Sequence, residues 1–197
     1  MNLQRVLLAS GSILLIGLVI IVVIQFRNME HFMEIQKNQR VRGKNLPAIN
    51  EVLDITMCQK RCKKDPNCRA ATIKSNGRCR LKSTIGTTVP DERYSSLRYP
   101  CEIYDSTDFI GNGVYLDVGK YNLTRLRRKG LNNNSASSIR LLPGYKITIY
   151  NGHEFNGRRT TFNTSQTNLN SSIRDPSKTP PLTWMDAISS VLVEKDI

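Results

Sequence analysis

The pattern that most restricts how this chain can fold is a repeat in its C-terminal half. The segment YDSTDFIG, from Tyr104 to Gly111, recurs 46 residues later as YNGHEFNG, from Tyr150 to Gly157. Both read Y-x4-F-x-G, with Phe109 and Phe155 at the aromatic position, and each is followed by a serine pair, Ser137-Ser138 and Ser189-Ser190. A physical reading is a strand pair that folds its hairpin back over a sheet. The aromatic residues cover the bend, glycine takes a backbone conformation closed to residues with a Cβ, and a later serine hydroxyl bonds the exposed hairpin backbone. The flanking segments VYLDV, YKITIY, RRTTF and ISSVLVE alternate or run β-branched, which predicts an all-β sandwich of about 95 residues built from two such motifs.

Upstream, residues 54–82 read DITMCQKRCKKDPNCRAATIKSNGRCRLK. Cys58 and Cys62 are four apart and share one face of a predicted helix, which Asp65-Pro66-Asn67 ends. Asn76-Gly77 then marks a two-residue hairpin turn between residues 69–75 and 78–82. The four cysteines leave two readings open. They can form disulfides or a tetrahedral zinc site, although zinc sites usually offer two short-spaced knuckles and Cys68-x10-Cys79 is not one. Cys101 is the odd fifth cysteine, a free or intermolecular thiol.

Two resemblances follow from these residues. The spacing C-x3-C-x5-C-x10-C, with DPNC after the helix and CRLK on the closing strand, resembles the PAN/apple module, a small α+β disulfide module, over residues 48–100. It implies the pairs Cys58–Cys79 and Cys62–Cys68 and a non-catalytic binding unit for proteins or carbohydrates. Nine Lys/Arg from Lys60 to Lys82 against one Asp favour an acidic partner over a neutral sugar. Over residues 101–197, the repeat and the hairpin KITIYNGHEFNGRRTTF resemble the βγ-crystallin double Greek key, in which Tyr104, Phe109, Gly111, Tyr150, Phe155 and Gly157 are structural. Many members of that family bind Ca²⁺ through N/D-N/D-x-x-S/T-S, where hard oxygen ligands suit the ion. Asn133-Asn134-Ser135-Ala136-Ser137-Ser138 fits the pattern, and Met185-Asp186-Ala187-Ile188-Ser189-Ser190 departs from it at Met185. The resemblance therefore implies a weak site drawing on Asn133, Asn134, Ser137, Asp186 and Ser189. The alternative is that both stretches only cap the fold.

From Val6 to Ile24 the chain carries nineteen residues without a charge, about 28 Å of helix at 1.5 Å per residue, which matches a bilayer core. The run is longer than a signal peptide's apolar region and ends in Gln25-Phe26-Arg27, so an uncleaved transmembrane anchor is expected within residues 1–27. Phe26, Met29, Phe32 and Met33 continue at helical spacing, and residues 28–47 are expected to be a basic stalk. One basic residue, Arg5, precedes the run, while Arg27, Lys37, Arg40, Arg42 and Lys44 follow it. The positive-inside rule therefore puts the C-terminal region on the cytoplasmic side. Disulfides, and the sequons at Asn122, Asn163 and Asn170, argue for the opposite side.

A net charge of +13 favours acidic partners. No nucleophile constellation, phosphate-cradling loop or metal-hydrolase motif is present, so a non-enzyme is expected, with no small-molecule substrate. The basic cluster Arg125, Arg127, Arg128 and Lys129 lacks interleaved aromatic residues, and no nucleic acid is expected. Three function classes remain. One is a membrane-tethered scaffold packed against other structural proteins with an acidic surface, such as a minor capsid or membrane component in the virion of a large DNA virus with an internal membrane. Another is a cell-surface adhesion or lectin-like receptor. The third is a calcium-dependent membrane-binding or stress protein.

Overall fold

The computed structural model describes residues 33–197 apart from Thr179. The expected anchor lies outside the described residues; among those described, no helix is long and apolar enough to cross a membrane. Among the described residues, two α-helices and thirteen strands, β1–β13, are numbered below in chain order, and they lie within one compact unit, Phe32–Ile197.

Strand β1 (Glu34–Val41) opens a four-stranded antiparallel sheet ordered β1-β4-β2-β3. Strands β2 (Ala70–Lys74) and β3 (Cys79–Lys82) form the hairpin around Asn76-Gly77, and the long β4 (Thr88–Arg98) lies between β1 and β2. Gly77 takes φ +77°, the conformation that its turn position demands. Helix α1 (Ile55–Lys64) starts where the Asp54 carboxylate accepts from the Met57 N–H at 2.7 Å, and it ends at Asp65. Its inner face buries Cys58, Gln59 and Cys62 on Ile73, Leu81 and Leu97.

The expectation of a basic stalk over residues 28–47 is corrected here. Residues 34–41 pair with β4, Glu34 opposite Arg98 and Val41 opposite Thr88, with a bulge at Asn38 (φ +56°). Met33 is 1% exposed in the core of this module, and its carbonyl accepts from Gln59 Nε2 at 2.8 Å. The module thus takes in residues 33–47, upstream of the expected start at residue 48. An edge strand is stabilised by its partner's backbone, and β4 lies far along the chain, so a local apolar spacing did not report it.

Pro100 separates this sheet from β5 (Cys101–Tyr104), the first strand of an all-β sandwich. One sheet is ordered β6-β5-β8, with β6 at Gly113–Leu116 and β8 at Ser138–Leu141. The other is ordered β10-β9-β13-β7, from β7 (Gly119–Tyr121), β9 (Tyr145–Tyr150), β10 (Arg159–Phe162) and β13 (Ser190–Lys195). β7 comes from the first motif yet pairs with β13 of the second. In return, Gln166 of the second motif bridges to Ile139 of the first. This exchange interlocks two Greek keys around one core in which Ile103, Leu116, Ile139, Ile147, Ile149 and Trp184 are fully buried. Helix α2 (Leu123–Arg128) follows β7, and a small hairpin, β11 (Ile173–Asp175) with β12 (Leu182–Thr183), precedes the last loop. Both cores and both disulfides lie inside Phe32–Ile197, so this unit contains what holds it folded.

Candidate functional site

The two hairpins predicted from the repeat are built alike. In the first, the Tyr104 and Phe109 rings are 6.2 Å apart, Gly111 has φ +81°, and Ser138 Oγ accepts from the Phe109 N–H at 3.1 Å and donates to the Ser106 carbonyl at 2.6 Å. In the second, Tyr150 and Phe155 are 5.9 Å apart, Gly157 has φ +78°, and Ser190 Oγ makes the same pair of bonds to the Phe155 N–H and the Gly152 carbonyl at 3.0 and 2.6 Å. One hydroxyl therefore satisfies a donor and an acceptor of the folded-back backbone in each motif. Two features were missed in the sequence. Phe109 and Phe155 also take positive φ, and Asp105 and Asn151 brace the hairpins by accepting from the N–H of Asn112 and Arg158 at 2.9 and 2.8 Å. The shared signal was present as an Asx directly after each tyrosine.

The proposed ion-binding residues divide. Asn133, Asn134, Asp186 and Ser189 line one cavity of about 320 Å³ with Asn151 and His153. Asn134 and Asp186 occupy equivalent left-handed positions at φ +55° and +53°. Each donates its N–H to the other motif, to Ile188 O at 3.3 Å and Ala136 O at 3.0 Å. Ser189 Oγ donates to Asn133 Oδ1 at 2.9 Å. Ser137 does not join this cavity and instead donates to the Asp105 carbonyl at 3.0 Å. The cavity is rich in amide and hydroxyl oxygen but holds one carboxylate, that of Asp186. Among the described residues, no group of three His, Cys, Asp or Glu is placed to hold a metal ion.

The cysteines pair as Cys58–Cys79 and Cys62–Cys68, with Cα separations of 5.8 and 5.2 Å. This settles the choice left open between disulfides and zinc. Cys101 is free and 0% exposed, in β5 between β6 and β8. Burial, and then the neighbouring Glu102 charge, push its thiol well above the ordinary range. Of the two alternatives for Cys101, a free or an intermolecular thiol, the structure shows the free one, with the sulfur buried.

No local sequence pattern marks the joint between the two modules. Glu102 is 1% exposed, and its carboxylate receives Arg98 Nη2 at 2.8 Å, Arg140 Nη1 at 3.0 Å and the Tyr104 hydroxyl at 2.6 Å. Arg98 belongs to the first sheet, while Glu102, Tyr104 and Arg140 belong to the sandwich. Burial, reinforced by Glu102, holds the Tyr104 phenol far above its ordinary range. Tyr145 of the sandwich donates a hydrogen bond to Glu34 of β1, and Arg69 lies 4.7 Å over the Tyr115 ring. These contacts fasten one module to the other at three separate places.

Residues 32–109 match the family described as PAN domain. Among curated proteins none matches the chain. Solved structures similar to it include a βγ-crystallin domain from Flavobacterium johnsoniae, 29% identical over 49% of this chain and 96% of that one, with a TM-score of 0.42. Others are the N-terminal domain of protein S, at 24% over 48% and 94% with a TM-score of 0.41, and a βγ-crystallin domain from Clostridium beijerinckii, at 18% over 50% and 99% with a TM-score of 0.41. The chain is a composite: a PAN-like disulfide module followed by a double Greek key whose hairpins and serine ties are those of the βγ-crystallin pattern.

Proposed function

We propose that this chain is a membrane-anchored, non-catalytic structural protein that holds two rigidly joined binding modules at a bilayer and packs them against a protein layer. The observation that carries this reading is the Arg98–Glu102–Arg140 joint, preceded in the chain by the uncharged run from Val6 to Ile24. A buried carboxylate shared by both modules suits a spacer of fixed geometry better than a flexible receptor stalk. The setting that reconciles cytoplasmic-side topology with disulfides is the internal membrane of a large DNA virus that supplies its own thiol oxidation. PAN and βγ-crystallin modules are generally binding or structural units, in keeping with a non-enzymatic role.

A second reading, a cell-surface adhesion or lectin-like receptor, is favoured by the exposure of Asn163 and Asn170. Asn122 is a poorer acceptor, because it caps α2 through the Arg125 N–H and its Nδ2 donates to Glu154 at 3.0 Å. Endoglycosidase treatment of the chain from its native membranes separates the two readings. Unchanged mobility supports the scaffold, and a shift that Asn163→Gln and Asn170→Gln abolish supports the receptor.

Calcium is a finer part of the proposal. Asn133, Asn134, Asp186 and Ser189 offer a hard-oxygen set of low charge, so affinity is expected to be weak, in the millimolar range of the weakest protein calcium sites. Binding requires Ser189 and Asn133 to exchange their mutual hydrogen bond for the ion. Isothermal titration of residues 33–197 with millimolar Ca²⁺ should give heat that Asp186→Ala removes; no heat from the parent fragment would refute the site.

A further inference from the structure

Charge is not spread evenly over the two modules. Residues 33–100 hold 15 Lys/Arg against 6 Asp/Glu, and residues 101–197 hold 12 against 9. Eight cations stand on or next to the two helices: Lys60, Arg61, Lys63 and Lys64 on α1, and Arg125, Arg127, Arg128 and Lys129 on α2 and its C-cap. A helix C-terminus accommodates a cation or two through its dipole. Four on each helix exceed that role.

At the joint, Arg69 of the first module and Lys129 of the second both contact Tyr115. Lys129 Nζ donates to the Tyr115 carbonyl at 3.3 Å, and the Tyr115 ring carries the Arg69 guanidinium. Arg69 directly follows Cys68, which is bonded to Cys62 of α1. Desolvation lowers the Lys129 ammonium, Asp117 opposes this, and the Arg125 and Lys63 charges lower it further. Among the described residues, Lys60, Lys64, Arg127 and Arg128 make no ion pair with a carboxylate, whereas Arg61 has Glu51 at 3.0 Å. Met57, Lys60, Arg61 and Lys64 follow one another at helical spacing on the exposed side of α1, and Met57 is 43% exposed.

In the sequence, the uncharged run ends nine residues before Met33, at Ile24. We infer that the basic face formed by α1 and α2 across the module joint is a docking surface for anionic lipid headgroups, with Met57 as an apolar contact at the interface. The inference rests on the proposed anchoring, which brings the described unit to a bilayer. It explains why both modules contribute: a surface spanning two rigidly joined units fixes their orientation, whereas the anchor alone fixes only distance.

The test uses residues 33–197, which lack the uncharged run, so that failure of the face and failure of the anchor are separable. Co-sedimentation with phosphatidylcholine vesicles is compared with vesicles containing phosphatidylserine. The fragment should partition onto the anionic vesicles only and be released by salt, as surface electrostatics require. The double variants Lys60→Glu/Lys64→Glu and Arg127→Glu/Arg128→Glu should each weaken partitioning by more than an order of magnitude, since each basic residue near an anionic surface contributes about fivefold. Arg159→Glu, on the strand at the opposite edge of the sheet from β7, serves as the charge control and should change it little. Circular dichroism and intact disulfides confirm folding of every variant. Equal binding to both vesicle types, equal loss in the control, or binding to double-stranded DNA at physiological salt in place of vesicles would overturn the inference.

Discussion

Arg98 and Glu102, four residues apart, lie on opposite sides of a module boundary and close a buried ion pair of 2.8 Å. The same carboxylate takes Arg140 from 38 residues further on. Removing one member of a buried pair leaves the others desolvated and unpaired, a loss of about 3–5 kcal/mol. Glu102→Ala should therefore lower the denaturation midpoint strongly and split a shared unfolding transition into two, one per module. A small shift with a single transition would show that Glu102 does not couple them.

The serine ties give a paired prediction. Ser138→Ala and Ser190→Ala each strand a phenylalanine N–H and a hairpin carbonyl, and a buried polar group left unsatisfied costs about 1–3 kcal/mol. Because the two geometries agree closely, urea denaturation should give the two variants similar losses, while Ser135→Ala, whose exposed hydroxyl bonds only the Asn132 carbonyl, should be much milder.

For the cysteines, peptide mapping under non-reducing conditions should recover Cys58–Cys79 and Cys62–Cys68. Cys101 should resist a maleimide in the native state and react once denaturant is added. Replacing Cys58 and Cys79 by alanine should cost about 3 kcal/mol, the scale for a loop of this size. Non-reducing gels should show no covalent dimer.

The alkaline limb of stability follows from Tyr99. Burial, and secondarily the charge of Asp117, raise its phenol to about 12, with Arg69 opposing. The folded state thus holds the proton more tightly than the unfolded chain, whose tyrosines titrate near 10. The associated stability is complete below pH 10 and is lost as pH rises from about 10 to about 12. Denaturation midpoints measured from pH 8 to 12 should fall across that window, and less steeply in Tyr99→Phe.

What the sequence could report was decided by how local each feature is. The hairpins were legible because Tyr, Phe, Gly and Ser do a stereochemical task at fixed spacing, and the disulfide pairs followed from a spacing that a known module shares. β1 was not legible: its residues alternate weakly, and its register is set by β4, some fifty residues away. The Glu102 joint was hidden for the same reason, since one carboxylate in a strand looks like any other until Arg98 and Arg140 converge on it. Asp105 and Asn151 were visible in the repeat, yet short polar residues after a tyrosine read as ordinary turn chemistry until their side-chain oxygens are placed bracing the hairpins. Ser137 matched the ion-binding pattern by position, but the fold commits its hydroxyl to the Asp105 carbonyl.

The central claim, that residues 6–24 fix this rigid two-module body to a bilayer, is tested most directly by alkaline carbonate extraction of membranes carrying the full chain. The account predicts that the full chain stays in the membrane pellet while a chain lacking residues 6–24 is released to the supernatant. Release of the full chain by carbonate would contradict it.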